Sequence, residues 1–231
     1  SRYRGRPLHR PPSMPQRPWF AVLLACVAAM FALPAQARPQ YDLDYLVEFL
    51  PADGTAAVTI SVEPRDGRVV HIDFDMDDPR YAAIEGDGEV TRADGRTLWV
   101  PPRDGGSFRY TYRIDHQRRD DGYDARITED WVIVRGDDLV PPASVRTSKG
   151  ADSRARLRFK LPEGWNSVDT QYRASIDRKS FVVVNPKRRF DRPTGWIIAG
   201  DVGMRSEVNA FIGEGKLIVT PSRYQRDLFI V

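Results

Sequence analysis

The chain has three histidines, His9, His71 and His116, and they are the natural first candidates for chemistry. His71 and Asp73 lie two residues apart in an alternating run. That spacing puts both on one strand face, within reach of a shared metal ion. A closed metal site needs further donors, and no spacing here supplies a third or fourth ligand. The expected state is a solvated face of His71, Asp73 and Asp75. None of the three histidines sits in a His-Glu-x-x-His frame, the helical zinc pattern. Paired acids at Asp77-Asp78, Asp120-Asp121 and Asp137-Asp138 could offer oxygens to calcium. None follows the spaced ligand loop that calcium favours, and Asp before Gly, as at Asp121-Gly122, is ordinary turn chemistry. No Gly-x-Ser-x-Gly elbow is present for a serine nucleophile. Gly200-Asp201-Val202-Gly203 lacks the lysine or third glycine of a phosphate loop and reads as a strand-end turn. No catalytic, cofactor-binding or metal residue is assigned within this chain.

The compartment is marked more clearly than the chemistry. Residues 19–33 read WFAVLLACVAAMFAL, an apolar run without charge, preceded by Arg17 and closed by Pro34. Ala35-Gln36-Ala37 follows. A basic flank, a short apolar segment and small residues at alternate positions describe a cleaved secretory signal. The run falls short of the roughly 20 residues of a membrane span. Residues 14–37 are therefore expected to be a signal peptide, starting at Met14 and cut after Ala37, with Ala35 and Ala37 as the small residues the peptidase reads. Residues 1–13, SRYRGRPLHRPPS, are read as a non-native or disordered extension. A basic nucleic-acid arm has little use in an exported protein. Leu23-Leu24-Ala25-Cys26 resembles a lipoprotein box, but only four apolar residues precede it and the run continues past it. The expected location is periplasmic or secreted, with membrane contact only through the transient signal.

Charge supports that division. Residues 1–37 hold five arginines and no acids, so the mature part has 35 − 5 = 30 basic residues against 32 acidic ones, a net charge of −2. A near-neutral surface gives no electrostatic case for nucleic acid. The one cysteine, Cys26, lies in the signal, so the mature chain has no disulfide or thiol chemistry.

The elements that must position any site have a period of two. Leu43, Tyr45, Val47 and Phe49 alternate with polar neighbours. So do Val58, Ile60 and Val62, then Val70, Ile72, Phe74 and Met76, and later Phe108, Tyr110, Tyr112 and Ile114. Ala155, Leu157, Phe159 and Leu161 repeat the pattern with Arg156, Arg158 and Lys160 between them. Such runs predict half-buried antiparallel strands. Residues 51–54 and 65–67 read as turns, and residues 93–96 as a hairpin turn. Residues 117–130 read as a long polar connection. Residues 181–184 read as a buried central strand. Trp131, Trp196, Val208 and Leu217 begin further strands. The predicted fold is all-β, an antiparallel β-sandwich of residues 38–222. Residues 223–231, ending in Leu228, Phe229, Ile230 and Val231, read as the start of a following segment.

Three segments carry more than strand grammar: VRGDDLVPPASVR at 134–146, LPEGW at 161–165, and NPKRRFDRPTGWIIAGDVGM at 185–204. Their marker residues are Asp137, Asp138, Pro141, Pro142, Trp165, Phe190, Asp191, Pro193, Gly195, Trp196 and Gly200. Prolines keep the approach extended and Gly195 frees the backbone ahead of Trp196. From the residues alone, these loops are a structural core corner rather than an active site. The set resembles the N-terminal region of exported bacterial proteins of the glycyl aminopeptidase metallopeptidase family, the metalloproteases with a PDZ domain, over residues 41–222. That resemblance implies an N-terminal β-sandwich followed by a helical zinc domain bearing His-Glu-x-x-His, and often a PDZ domain. The chain stops at Val231, before any zinc helix, so no zinc ligand or catalytic residue carries over. Zinc is expected only in a downstream domain.

Two readings follow. One is a non-catalytic accessory domain of an exported zinc metallopeptidase-like protein, part of a longer chain, packed on a downstream catalytic domain. The other is a free-standing periplasmic β-sandwich that binds a protein or peptide partner through its loops.

Overall fold

The computed structural model describes residues 38–117, 123–176, 180–185 and 190–201, and short strands at 203–204, 210–211, 217–219 and 228–230. The chain divides into Ser1–Ala37 and Arg38–Val231. The first unit lies outside the described residues, and with it the signal-peptide expectation, Ala35, Ala37 and Cys26. Asp120, Asp121 and Pro186 also lie outside them.

The described residues are mostly strands. In order they are β1 (Gln40–Leu50), β2 (Thr55–Pro64), β3 (Val69–Asp75), β4 (Tyr81–Gly86), β5 (Glu89–Ala93) and β6 (Arg96–Val100). Then come β7 (Gly106–Arg113), β8 (His116–Gln117), β9 (Tyr123–Ile127) and β10 (Trp131–Arg135), followed by the single helical turn α1 (Gly136–Leu139). After it run β11 (Ala143–Thr147), β12 (Asp152–Lys160), β13 (Ser167–Thr170), β14 (Arg173–Ala174), β15 (Phe181–Val183) and β16 (Trp196–Gly200). Four short strands between Gly203 and Ile230 pair with one another in a sheet of their own.

Seven strands make the large sheet, in the order β14-β15-β12-β1-β2-β7-β4. A four-stranded sheet, β11-β3-β6-β5, and a five-stranded sheet, β13-β16-β10-β9-β8, complete the sandwich. One continuous core takes side chains from all three. Phe74 of β3 stacks on Phe108 of β7 at 4.9 Å, and Trp99 of β6 stacks on the same ring at 5.4 Å. These aromatic contacts join the large sheet to the four-stranded one. Among the described residues no helix is long and apolar enough to cross a membrane.

The alternation read in the sequence is the alternation of burial. On β1, Tyr41, Leu43, Tyr45, Val47 and Phe49 are all buried, while the residues between them are half-buried. Each such side chain removed from water contributes about 1.5–3 kcal/mol. A slip of one residue would turn the whole set outward. The outer face of β1 carries Asp42, Asp44 and Glu48. Beside it β12 carries Arg154, Arg156, Arg158 and Lys160. Arg158 reaches Asp44 at 2.7 Å and Lys160 reaches Glu48 at 2.6 Å. These exposed pairs each contribute under about 1 kcal/mol, but their signs match only when β1 and β12 lie side by side.

That β1–β12 pair is parallel, whereas every strand was expected to be antiparallel. All other pairings among the described strands are antiparallel. A period-two pattern identifies a strand but not the direction of its neighbour, and here the chain travels through β2 to β11 before returning. Three local expectations also change. Strand β4 had no counterpart in the sequence reading. Its register shifts between Ala82 and Glu85, and Ala83 takes a φ of 49°, so a bulge breaks the alternation. The connection expected at 117–130 contains β9, whose Ala125 and Ile127 are buried. Two apolar positions among charged neighbours are too few to signal a strand. Residues 181–184 are not a buried central strand. β15 lies one strand from the edge of its sheet, and Val182 and Val184 are exposed at 45% and 57%.

Candidate functional site, a corner built from two loops

The structure brings two of the three marked segments together. Residues 135–142 and 190–196 lie against each other at the end of β10 and the start of β16. Those strands pair as Arg135 with Trp196, with the Arg135 guanidinium 5.4 Å from the Trp196 ring centre. The Gly136 amide donates to the Gly195 carbonyl at 2.7 Å. Gly136 permits this approach: a Cβ there would lie 3.0 Å from the backbone of Pro193 and Thr194. Gly195 has a φ of 75°, the left-handed region that favours glycine. Its amide donates to Asp137 Oδ2 at 2.8 Å.

The Gly136 carbonyl of this single helical turn accepts from the Val140 amide at 3.0 Å, and the carbonyls after it have no helical partner. Here side chains from distant strands take them. The Asp138 carbonyl accepts from Tyr81 Oη at 2.6 Å, and the Leu139 carbonyl from Tyr110 Oη at 2.6 Å. Arg192 serves the rest. Its Nη1 donates to the Asp137 carbonyl at 3.1 Å and to the Val140 carbonyl. Its Nη2 lies 3.6 Å from Asp137 Oδ1. Arg192 is 7% exposed, so its charge sits inside the protein among these oxygens. Burial raises the phenols of Tyr81 and Tyr110, which keeps them protonated as donors.

The second loop is fastened with equal density. Asp191 Oδ1 accepts from the Asn185 amide at 2.6 Å, and Oδ2 accepts from the Ser153 hydroxyl at 3.1 Å. The Asp191 carbonyl accepts from Tyr45 Oη at 3.0 Å. Asn185 Nδ2 donates to the Arg192 carbonyl at 2.7 Å, and the Thr194 amide donates to Tyr172 Oη at 2.9 Å. Pro193 is buried against Gly136. Pro141 is buried, and the exposed Pro142 offers its carbonyl to the Asp75 amide at 2.8 Å.

The remaining marked residues lie at a different joint. Trp165 donates its indole N–H to the Glu129 carbonyl at 2.7 Å, and its ring lies 5.8 Å from Phe49. The Gly200 carbonyl accepts from Ser167 Oγ at 3.0 Å, and Gly200 pairs with Trp131. Asp201 donates its amide to the Asp130 carbonyl at 2.9 Å. This joint ties the Asp130 turn to β16.

Asp73, Asp78 and His116, among the acids and histidines marked in the sequence, have structural partners. Asp73 is held by Arg96 at 2.9 Å, and Asp78 by Arg80 at 2.7 Å. His116 Nδ1 lies 2.6 Å from Asp124 Oδ1. Among the described residues no three of His, Cys, Asp and Glu are grouped to hold a metal. The residues that sequence reasoning missed are Arg192, Tyr81, Tyr110, Tyr172, Ser153 and Asn185. Arg192 lay inside the marked segment, yet an arginine between Asp191 and Pro193 gives no sign of burial. The tyrosines lie on other strands, 57 and 29 residues away in the case of Tyr81 and Tyr110.

Beside the corner runs a cleft of about 500 Å³. It is lined by Pro142, Ala143, Val145 and Arg146 along β11, with Phe190 and Arg192 among its other walls.

No family model matches the chain, and no curated protein sequence matches it. Solved structures do resemble it in fold. An aminopeptidase N family protein from Idiomarina loihiensis superposes with a TM-score of 0.50 at 10% identity, covering 79% of this chain and 33% of that one. The chain thus spans about a third of that protein's length. An M1 zinc metallopeptidase from Deinococcus radiodurans gives 0.36 at 15% identity, covering 78% and 46%. Leukotriene A4 hydrolase from Saccharomyces cerevisiae gives 0.34 at 12% identity, covering 72% and 29%. The first likeness is one of fold, and nothing is argued from the looser two.

Two outcomes test the corner. Arg192→Met leaves two buried carbonyls without a donor and should cost about 3 kcal/mol or more, read as a lower urea midpoint at unchanged slope. A loss under about 1 kcal/mol would contradict the clamp. Burial pushes the half-buried Asp138 carboxyl above the usual carboxylate range; Arg80 and Arg135 oppose this, and Asp124 and Asp137 add to it. A raised folded pKa gives stability that is present below the ordinary carboxylate value and is lost as pH rises through the folded value. Asp138→Asn should therefore be more stable than the parent at pH 7, with the difference closing below about pH 4. A variant less stable at pH 7 would contradict that account.

Proposed function

We propose that residues 38–222 are a non-catalytic accessory domain of an exported zinc metallopeptidase-like protein. In this reading the sandwich packs beside a downstream catalytic domain and shapes access to it. The observation that carries the reading is the superposition of 79% of this chain on a third of an aminopeptidase N family protein. The fold likeness supports the coarser part of this reading, an N-terminal sandwich of a metallopeptidase-like protein; the glycyl aminopeptidase family rests on the segments around Asp137 and Asp191 alone. The corner's chemistry also favours a structural role. Asp137 and Asp191 are each engaged by several donors, and Arg192 spends its charge on carbonyls. Zinc, substrate turnover and any PDZ domain belong to the downstream part of the proposal. Export rests on the signal read at residues 14–37, with the mature protein in the periplasm or secreted.

The direct test is the intact mass of the endogenous protein in the cell envelope fraction, with zinc content measured on the same material. The reading expects a polypeptide much heavier than 26.3 kDa, carrying zinc and hydrolysing peptides until a chelator is added. A zinc-free species of about 22 kDa, the size left by cleavage after Ala37, would overturn it in favour of a free-standing binding sandwich.

A further inference from the structure

We infer that the outer edge of β11 accepts an extended acidic peptide as an added strand. β11 ends the four-stranded sheet, with β3 on one side and, among the described residues, no strand on the other. The Asp75 amide donates to the Pro142 carbonyl, so Pro142 turns its backbone toward β3. In an antiparallel pair the next residues alternate. Ala143 and Val145 therefore turn their N–H and C=O groups to the open side. No backbone bond occupies these groups among the described residues. A row of unpaired donors and acceptors is the template for strand addition.

The cleft fixes the occupant's chemistry. It follows the same edge, with Ala143 and Val145 offering apolar surface and Phe190 lining it as well. Among the described residues, two arginines line it and no carboxylate does. Arg192 is already committed to Asp137 and its neighbouring carbonyls. Arg146 is exposed and has no ion pair among the described residues. A peptide in β conformation presents alternate side chains to opposite sides. Small apolar residues would face Val145 and Phe190, and acidic residues would face Arg146. A second copy of the chain fits less well. Antiparallel pairing of two β11 edges brings both copies of Arg146 to one face with no acid between them. The inference stands on β11 and its cleft, and does not need a downstream peptidase.

The probe is a capped, fluorescein-labelled octapeptide of alternating valine and glutamate, titrated with the full 231-residue chain and followed by anisotropy. Saturable binding is expected, weakened about tenfold or more by Arg146→Glu. Methylating every second amide nitrogen of the peptide should abolish it, because those nitrogens bond the edge. Val145→Pro, which removes an outward N–H, should act likewise in a variant with an unchanged melting temperature. The methylated peptide decides the matter on the parent chain if that variant fails to fold. The inference is overturned by undiminished binding of the methylated peptide, equal binding of a valine–lysine peptide, or no binding at all. It is also overturned if sedimentation shows self-association that Val145→Pro removes, since the edge would then belong to a second copy.

Discussion

A buried guanidinium needs oxygen atoms on every side, and the corner at Arg192 is arranged around that need. An arginine taken out of water costs several kcal/mol unless its donors are satisfied. A single helical turn has the opposite deficit, carbonyls without donors. Placing Arg192 against α1 meets both requirements at once. The arrangement obliges residues 135–142 and 190–196 to stay in contact, which in turn sets β10 beside β16. Gly136 and Gly195 follow from the same constraint, because a side chain at Gly136 would hold the two loops apart.

The corner would have nothing to rest on without the large sheet. β1 presents five buried side chains, and Tyr45 among them hydrogen-bonds the second loop directly. Its parallel neighbour β12 supplies Ser153, which holds Asp191. β4 and β7 supply Tyr81 and Tyr110 for the first loop. Tyr45, Tyr110 and Ser153 come from sheet positions whose inward direction is fixed by period-two burial, whereas Tyr81 sits on β4, where a bulge interrupts the alternation. The hydrogen bonds at the corner are thus the polar ends of side chains whose rings belong to the core.

Much of this was legible in the residues. The alternations at Leu43 to Phe49, Val58 to Val62 and Phe108 to Tyr112 carried both the strands and their inward faces, because burial on one face leaves a period of two. The loops around Asp137 and Asp191 stood out through their proline and glycine content. Their mutual contact did not, because the side chains that join them come from β1, β4, β7 and β12. Sequence pattern reports local geometry, whereas Tyr81 and Asp138 meet only through the tertiary fold. The parallel direction of β1 and β12 was hidden for the same reason. Their complementary charges were visible on each strand, but nothing local said that those strands are neighbours. The fold likeness to an aminopeptidase N family protein, at 10% identity, fits a fold kept by burial pattern more than by residue identity.

Residue-resolved native-state hydrogen exchange tests the central claim most directly, that this corner is a rigid part of the core. The amides of Gly136, Val140 and Gly195 should exchange only through global unfolding, with protection equal to that of Leu43 and Tyr45 in β1. Fast exchange at Gly136 and Gly195 while β1 stays protected would show a corner that opens independently, and would contradict the account.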